Sequence, residues 1–139
     1  PVLRHGDIPT VKEGHTKHET VDIIVSAVKE MESKGKNSIA IITKTFKEGK
    51  ELEKAIKKYS DLVVTVIKGN ESDTPKTNIL IVPVYLTKGL EFDGTIIYNP
   101  SENNYPDNIL NQRLLYVALT RALHCEYIIA EEQLSKNII

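Results

Sequence analysis

The sequence contains no tryptophan and only one cysteine, one methionine and two phenylalanines. The lone Cys125 excludes an internal disulfide framework and suits a reducing cytoplasm, where it is expected to act as a small buried hydrophobe. No apolar run approaches the ~20 residues that span a bilayer, and no signal peptide is visible, so a cytoplasmic protein with no membrane partner is expected. Neither sign of charge dominates: 18 basic against 19 acidic residues leave a formal net charge of −1. Whole-molecule electrostatics therefore do not favour nucleic acid, and any such contact must come from a local basic face. Catalytic signatures are missing as well. There is no HExxH, CxxC or GxSxG, and no phosphate-cradling GxxxxGK(S/T). The nearest approach, Gly69 to Lys76, lacks the second glycine and places Pro75 where a helix should open, so it reads as a turn.

What remains is an ordinary globular composition, 40% hydrophobic and 27% charged, over 139 residues. That length fits one domain, residues 1–139, which should bury roughly two-thirds of its unfolded surface. A first residue of proline suggests a piece of a longer chain. Residues 1–15 form an irregular lead-in with a short strand near Ile8–Val11. Thr16 and Glu19 make a capping-box pattern, Val21, Ile24, Val25, Val28 and Met31 follow at helical spacing, and Gly35 stops the helix. Ser38–Thr43 is a continuous apolar strand, the kind covered on both faces. Thr45 and Glu48 repeat the capping pattern before a stripe of Leu52, Ala55, Ile56 and Tyr59. Strands are expected at Leu62–Ile67, Ile79–Val82, Thr95–Tyr98 and Cys125–Ala130, with a helix from Asp107 or Asn108 to about Ala122. Helices alternating with apolar strands imply an α/β fold, a parallel sheet with helices on both faces. Ligands in such sheets gather at the carboxyl ends of the strands, here the loops after Ile42, Val82 and Tyr98.

Two segments carry candidate chemistry. Val84–Asp93 links two strands, with Gly89 for close backbone approach and Lys88 and Glu91 as opposite charges three residues apart. Its plain alternative is a turn with a surface ion pair. Gln112–Ala122 is a helix apolar almost all round, interrupted by Arg113 and Arg121. A buried guanidinium needs an anion. The partner is either a protein carboxylate such as Glu91 or Asp93, or a phosphate arriving in a cleft. Of the four histidines only His15 and His18 are close, and they read as solvated residues around a helix start rather than metal ligands.

Thr87-Lys-Gly-Leu-Glu-Phe-Asp93 resembles motif V of the UvrD/Rep-type superfamily 1 helicases, and Leu115-Tyr-Val-Ala-Leu-Thr-Arg-Ala122 resembles their motif VI. The two stand in the right order. Ala40-Ile-Ile-Thr-Lys-Thr-Phe46, followed by Leu52-Glu53, is similar to the upstream A-x-L-x-R-(T/S)-N…L-E segment, so the resemblance covers about residues 38–130. Within the family, Pro83-Val-Tyr-Leu-Thr-Lys-Gly and Val2-Leu-Arg-His-Gly-Asp-Ile-Pro look most like helicase IV/HelD-type proteins.

The resemblance implies a RecA-like P-loop NTPase fold in its second motor domain, without a Walker A loop of its own. It implies that Arg121 reaches the ATP γ-phosphate, that Glu91 lies near the ribose, and that Lys88 and Gly89 sit between nucleotide and nucleic acid. Arg113 and Tyr116 would support motif VI. Lys44, Tyr85 and Thr87 are the expected nucleic-acid-facing positions. The implied cofactor is ATP with Mg²⁺, held mainly by an N-terminal RecA-like domain of the same parent. The implied partners are that domain, DNA and, for a HelD-type protein, RNA polymerase. The departures are Pro83 and Tyr85 where the family has Thr and His, Lys44 for Arg, and Phe46 for Asn. They put single-strand tracking in doubt and favour an RNA polymerase-binding alternative.

Overall fold

The computed structural model describes residues 10–69, 77–87, 92–99 and 125–131. Six parallel strands form one sheet in the order β1-β6-β5-β2-β4-β3. They are β1 Thr10–Glu13, β2 Ile39–Thr43, β3 Thr65–Val66, β4 Ile79–Pro83, β5 Gly94–Tyr98 and β6 Cys125–Ala130. The expected lead-in strand is thus present over Thr10–Glu13, and Ile8 and Pro9 lie outside the described residues.

Both described helices begin as their sequences dictate. In α1, Lys17–Ser33, the extended Thr16 accepts from the Glu19 amide at 3.1 Å, while Glu19 accepts from the His15 amide at 3.3 Å. In α2, Phe46–Tyr59, Thr45 accepts from the Glu48 amide at 3.1 Å and Glu48 from the Lys44 amide at 2.9 Å. In each, the glutamate reaches the amide one residue before the cap. Each threonine cap contributes about 1 kcal/mol. Gly35, at φ +85°, ends α1 in the left-handed conformation that glycine adopts without steric cost.

The central strand β2 is buried at all five positions. Its side chains alternate between two cores. Ile39 and Ile41 join the cluster beneath α1 and α2, with Ile24, Val28, Leu52 and Ile56. Ala40 and Ile42 join the opposite cluster, with Val82, Val84, Ile97 and Ile128. Full burial of each such isoleucine stabilises by roughly 1.5–3 kcal/mol. The two described helices share one face; the helix expected over 107–122 lies outside the described residues. Val84, Leu86 and Phe92 belong to the second cluster, so the described ends of the β4–β5 connection pack on the face opposite α2.

One expected strand is much shorter than Leu62–Ile67. The ladder pairs only Thr65 with Leu80 and Val66 with Ile81. In that register Leu62 and Val63 lie opposite residues that precede β4, so they have no strand to join. Leu62 and Val64 still pack inward, whereas Val63 is 64% exposed.

Candidate functional site

The chain leaves β2 over one face, through α2, and leaves the neighbouring β4 over the other. Diverging connections open a crevice at the carboxyl ends of adjacent strands, where α/β sheets bind ligands. At this edge the chain places Lys44 and Phe46 after β2, Lys68 after β3 and Tyr85 after β4, and Phe46 and Lys68 share a groove with Lys50, Lys57 and Val64 beside α2. The Lys68 ammonium lies 5.9 Å from the centre of the Phe46 ring, within cation–π range. Tyr85 is 56% exposed, on a 3₁₀ turn spanning Val84–Leu86. The turn presses against the loop after β3. A side chain at Gly69, already at φ +106°, would come within 2.9 Å of Leu86. Cations beside one exposed and one half-buried ring suit a negatively charged ligand that also stacks.

The carboxyl ends of β5 and β6 are closed. Glu131, just past β6, accepts at Oε1 from Lys17 Nζ at 2.9 Å and from Tyr98 Oη at 2.6 Å, and at Oε2 from Thr20 Oγ1 at 3.2 Å. Lys17 Nζ also donates to Tyr98 Oη at 2.9 Å. The Glu131 amide donates to Asn99 Oδ1 at 3.1 Å, and the Asn99 amide to the Ile129 carbonyl at 2.6 Å. Burial, then the hydrogen bond to Glu131 and its negative charge, push the Tyr98 hydroxyl well above the ordinary tyrosine pKa. It remains a proton donor. Gly14 makes the closure possible: a Cβ there would sit 2.3 Å from Thr20 Oγ1 and 2.9 Å from the Thr20 backbone.

The sequence candidates fall into three groups. Lys44 follows β2 and Tyr85 follows β4, both at the carboxyl edge of the sheet. Thr87, also expected to face nucleic acid, is instead fully buried, and its hydroxyl donates to the Val84 carbonyl at 2.7 Å. It closes the 3₁₀ turn and offers no side chain to a ligand. Lys88, Gly89, Glu91, Arg113, Tyr116 and Arg121 lie outside the described residues, as does the side chain of Cys125. Asp93, one of the carboxylates considered for an arginine, sits at the amino edge of the sheet. There its Oδ2 accepts from the amides of Asn37 at 2.7 Å and Ser38 at 3.2 Å, and its own amide donates to Ser38 Oγ at 3.0 Å. His15 and His18 are exposed, and the His18 ring stacks on Tyr59 with centroids 4.5 Å apart. Among the described residues no three His, Cys, Asp or Glu side chains converge as metal ligands.

Sequence reasoning missed the closed end. The available signal was Tyr98 itself: a tyrosine ending a buried strand needs a partner for its hydroxyl. The partner, Glu131, is 33 residues away and carries no local signature. Lys68 was missed too, for want of any pattern linking it to Phe46.

Comparison with known proteins adds three likenesses. Residues 78–129, from just before β4 into β6, match the UvrD-like helicase C-terminal domain. Over 82 residues, 50% of this chain, the sequence is 34% identical to a probable DNA helicase II homolog of Mycoplasma pneumoniae, of which it spans 12%. The crystal structure of the C-terminal domain of a possible DNA helicase from Lactobacillus plantarum WCFS1 aligns with a TM-score of 0.83 and 32% identity, covering 99% of this chain and 83% of that one.

Proposed function

Because the chain belongs to the family of UvrD-like helicase C-terminal domains, we propose that it is the second motor domain of an ATP-dependent superfamily 1 DNA helicase. The observation that carries this reading is a likeness running the whole length of the domain, 99% of the chain at 32% identity, rather than over one motif. The sequence supports it with a motif V-like segment at 87–93 and a motif VI-like segment at 115–122, in the family's order.

ATP with Mg²⁺, bound by a preceding RecA-like domain of the same parent, supplies the phosphoryl group whose hydrolysis drives the motor. On the motif resemblance, Arg121 would meet the γ-phosphate, Glu91 would lie near the ribose, and Lys88 with Gly89 would sit between nucleotide and nucleic acid. A guanidinium offered across a domain cleft contributes roughly 10³–10⁵ in rate, because phosphoryl transfer depends on positioning and charge stabilisation. The open crevice, with Lys44, Phe46, Lys68 and Tyr85, is the surface offered to DNA. The parent works in the cytoplasm on this reading.

Without a Walker A loop, the 139-residue chain alone should not hydrolyse ATP. In the parent, Arg121→Ala should lower steady-state turnover by at least about 10³-fold while leaving the far-UV circular dichroism unchanged. Turnover near that of the unsubstituted enzyme removes the arginine from the mechanism.

A second reading makes the parent an ATP-regulated module that grips RNA polymerase, in the manner of HelD-type proteins. It is favoured by Pro83 and the exposed Tyr85 at positions where the family has Thr and His. Strand separation on a tailed duplex distinguishes the two: robust unwinding supports the helicase, and polymerase capture without unwinding supports the module.

A further inference from the structure

We propose that the groove between α2 and the outer edge of β3 is a docking site for an extended acidic segment of a partner protein, which adds to the sheet as a further strand beside β3.

The run Leu62-Val-Val-Thr-Val-Ile67 is composed of residues that favour strands. Yet only Thr65 and Val66 enter the ladder, and their one partner strand is β4. β3 ends the sheet order, so among the described residues its outer side pairs with nothing. Ile67 donates to the Ile81 carbonyl at 2.9 Å, which fixes its backbone groups toward β4. Successive residues of an extended chain turn those groups to opposite edges, so Val66 and Val64 direct their N–H and C=O outward. Such a row is a template for another strand. Leu62 and Val64 pack inward while Val63 is 64% exposed, the alternation of an extended chain, so this conformation runs on past the ladder.

The groove beside this edge defines what fits there. Its volume is about 610 Å³, room for an extended segment rather than a single ion. Phe46, Lys50, Glu53 and Lys57, one stripe of α2, face it from one side, and Val64 and Val66 from the other. With Lys68 and Asp61, the lining carries three lysines against two carboxylates. One of those carboxylates, Glu53, is held by Lys50 at 2.9 Å, an exposed pair of the kind that contributes little and exchanges readily for a ligand carboxylate. The groove therefore favours negative charge.

A strand laid against β3 sends alternate side chains to opposite faces of the sheet. Those on the α2 side meet Lys50 and Lys57, and those on the other meet the exposed Val63. The matching segment thus alternates acidic with apolar residues, its main chain supplying affinity and its side chains specificity. A nucleic-acid strand matches less well, because it brings no amide row to the edge and sets phosphates beside Glu53 and Asp61. So does a second copy of this chain, whose pairing through the same edge would set lysines against lysines.

The test is fluorescence anisotropy of the 139-residue chain with a fluorescein-labelled octapeptide of alternating glutamate and valine. Saturable binding with a Kd below about 1 mM is expected. The same peptide methylated at its backbone nitrogens, and so stripped of its donors to β3, should bind about tenfold more weakly. Lys50→Glu combined with Lys57→Glu should weaken the glutamate peptide about tenfold or more and strengthen binding of a lysine–valine octapeptide, a swap that misfolding cannot produce. Absence of saturable binding overturns the proposal, as does equal affinity for the two peptides or indifference to methylation. Two further results overturn it by naming another occupant: displacement of the peptide by oligothymidine, which gives the groove to nucleic acid, or a dimer in sedimentation velocity that the peptide dissociates, which gives the edge to a second copy.

Discussion

The two halves of the sheet's carboxyl edge are built on opposite principles. At β5 and β6 the described polar groups turn on one another: a lysine, a tyrosine and a threonine converge on one carboxylate whose side chain is only 19% exposed. At β2, β4 and β3 the connections diverge, and the same edge presents Lys68 over Phe46 and a half-exposed Tyr85. One sheet thus closes one end of its ligand-binding edge and opens the other. The difference teaches that polar residues at strand ends are not interchangeable signs of a site. Mutual satisfaction makes a joint, and exposure makes a surface.

Glu131→Ala should strike this contrast hardest. It leaves Lys17, Thr20 and the Tyr98 hydroxyl without their acceptor, at a cost of about 2–3 kcal/mol in the urea unfolding of the 139-residue chain. A loss under about 0.5 kcal/mol would mean that the closed end is no joint at all.

Alkaline pH should loosen the same joint by a smaller amount. The unfolded chain releases the Tyr98 proton near pH ~10, whereas the folded chain holds it to higher pH because the hydroxyl is buried against Glu131. The folded state then binds more protons. The contribution is therefore complete below pH ~10 and declines above it by ~1.4 kcal/mol per unit. Other groups titrate there too, so the informative quantity is the difference between the unsubstituted chain and Tyr98→Phe in denaturant unfolding from pH 8 to 11. The phenylalanine variant should show the shallower decline; equal slopes would detach Tyr98 from the joint.

The open end was far easier to read from sequence than the closed one. Lys44 and Tyr85 follow apolar runs of the kind that form buried parallel strands, which is enough to place them at the carboxyl edge of the sheet. The capping threonines, the helical stripes of α1 and α2 and the two-faced burial of β2 were legible for the same reason: each depends on residues within one or two turns of one another. The bond from Thr87 back to Val84 was not legible, because a β-branched hydroxyl after a strand looks the same in sequence whichever way it turns. Leu62–Val63 looked like strand because propensity takes no account of where the neighbouring strand begins. The closed end was illegible because its members come from residues 14–20, 98–99 and 129–131, which only the folded sheet brings together.

The smallest effect on stability, and the clearest on function, is expected at Tyr85. Its side chain is 56% exposed and the 3₁₀ turn beneath it is held by Val84, Leu86 and Thr87, so Tyr85→Ala should move stability by no more than about 0.5 kcal/mol. If the open crevice meets DNA, the lost ring removes a stacking partner worth about 1–3 kcal/mol, and the parent's affinity for a labelled oligothymidine should fall about tenfold or more in fluorescence anisotropy. Salt must be held constant, because the phosphate contribution from Lys44 and Lys68 varies with it and would mask the aromatic part. An unchanged affinity in a folded variant would leave the exposed ring to a protein partner. The open end would then be a docking face, and the contrast with the closed end would survive in architecture but not in ligand.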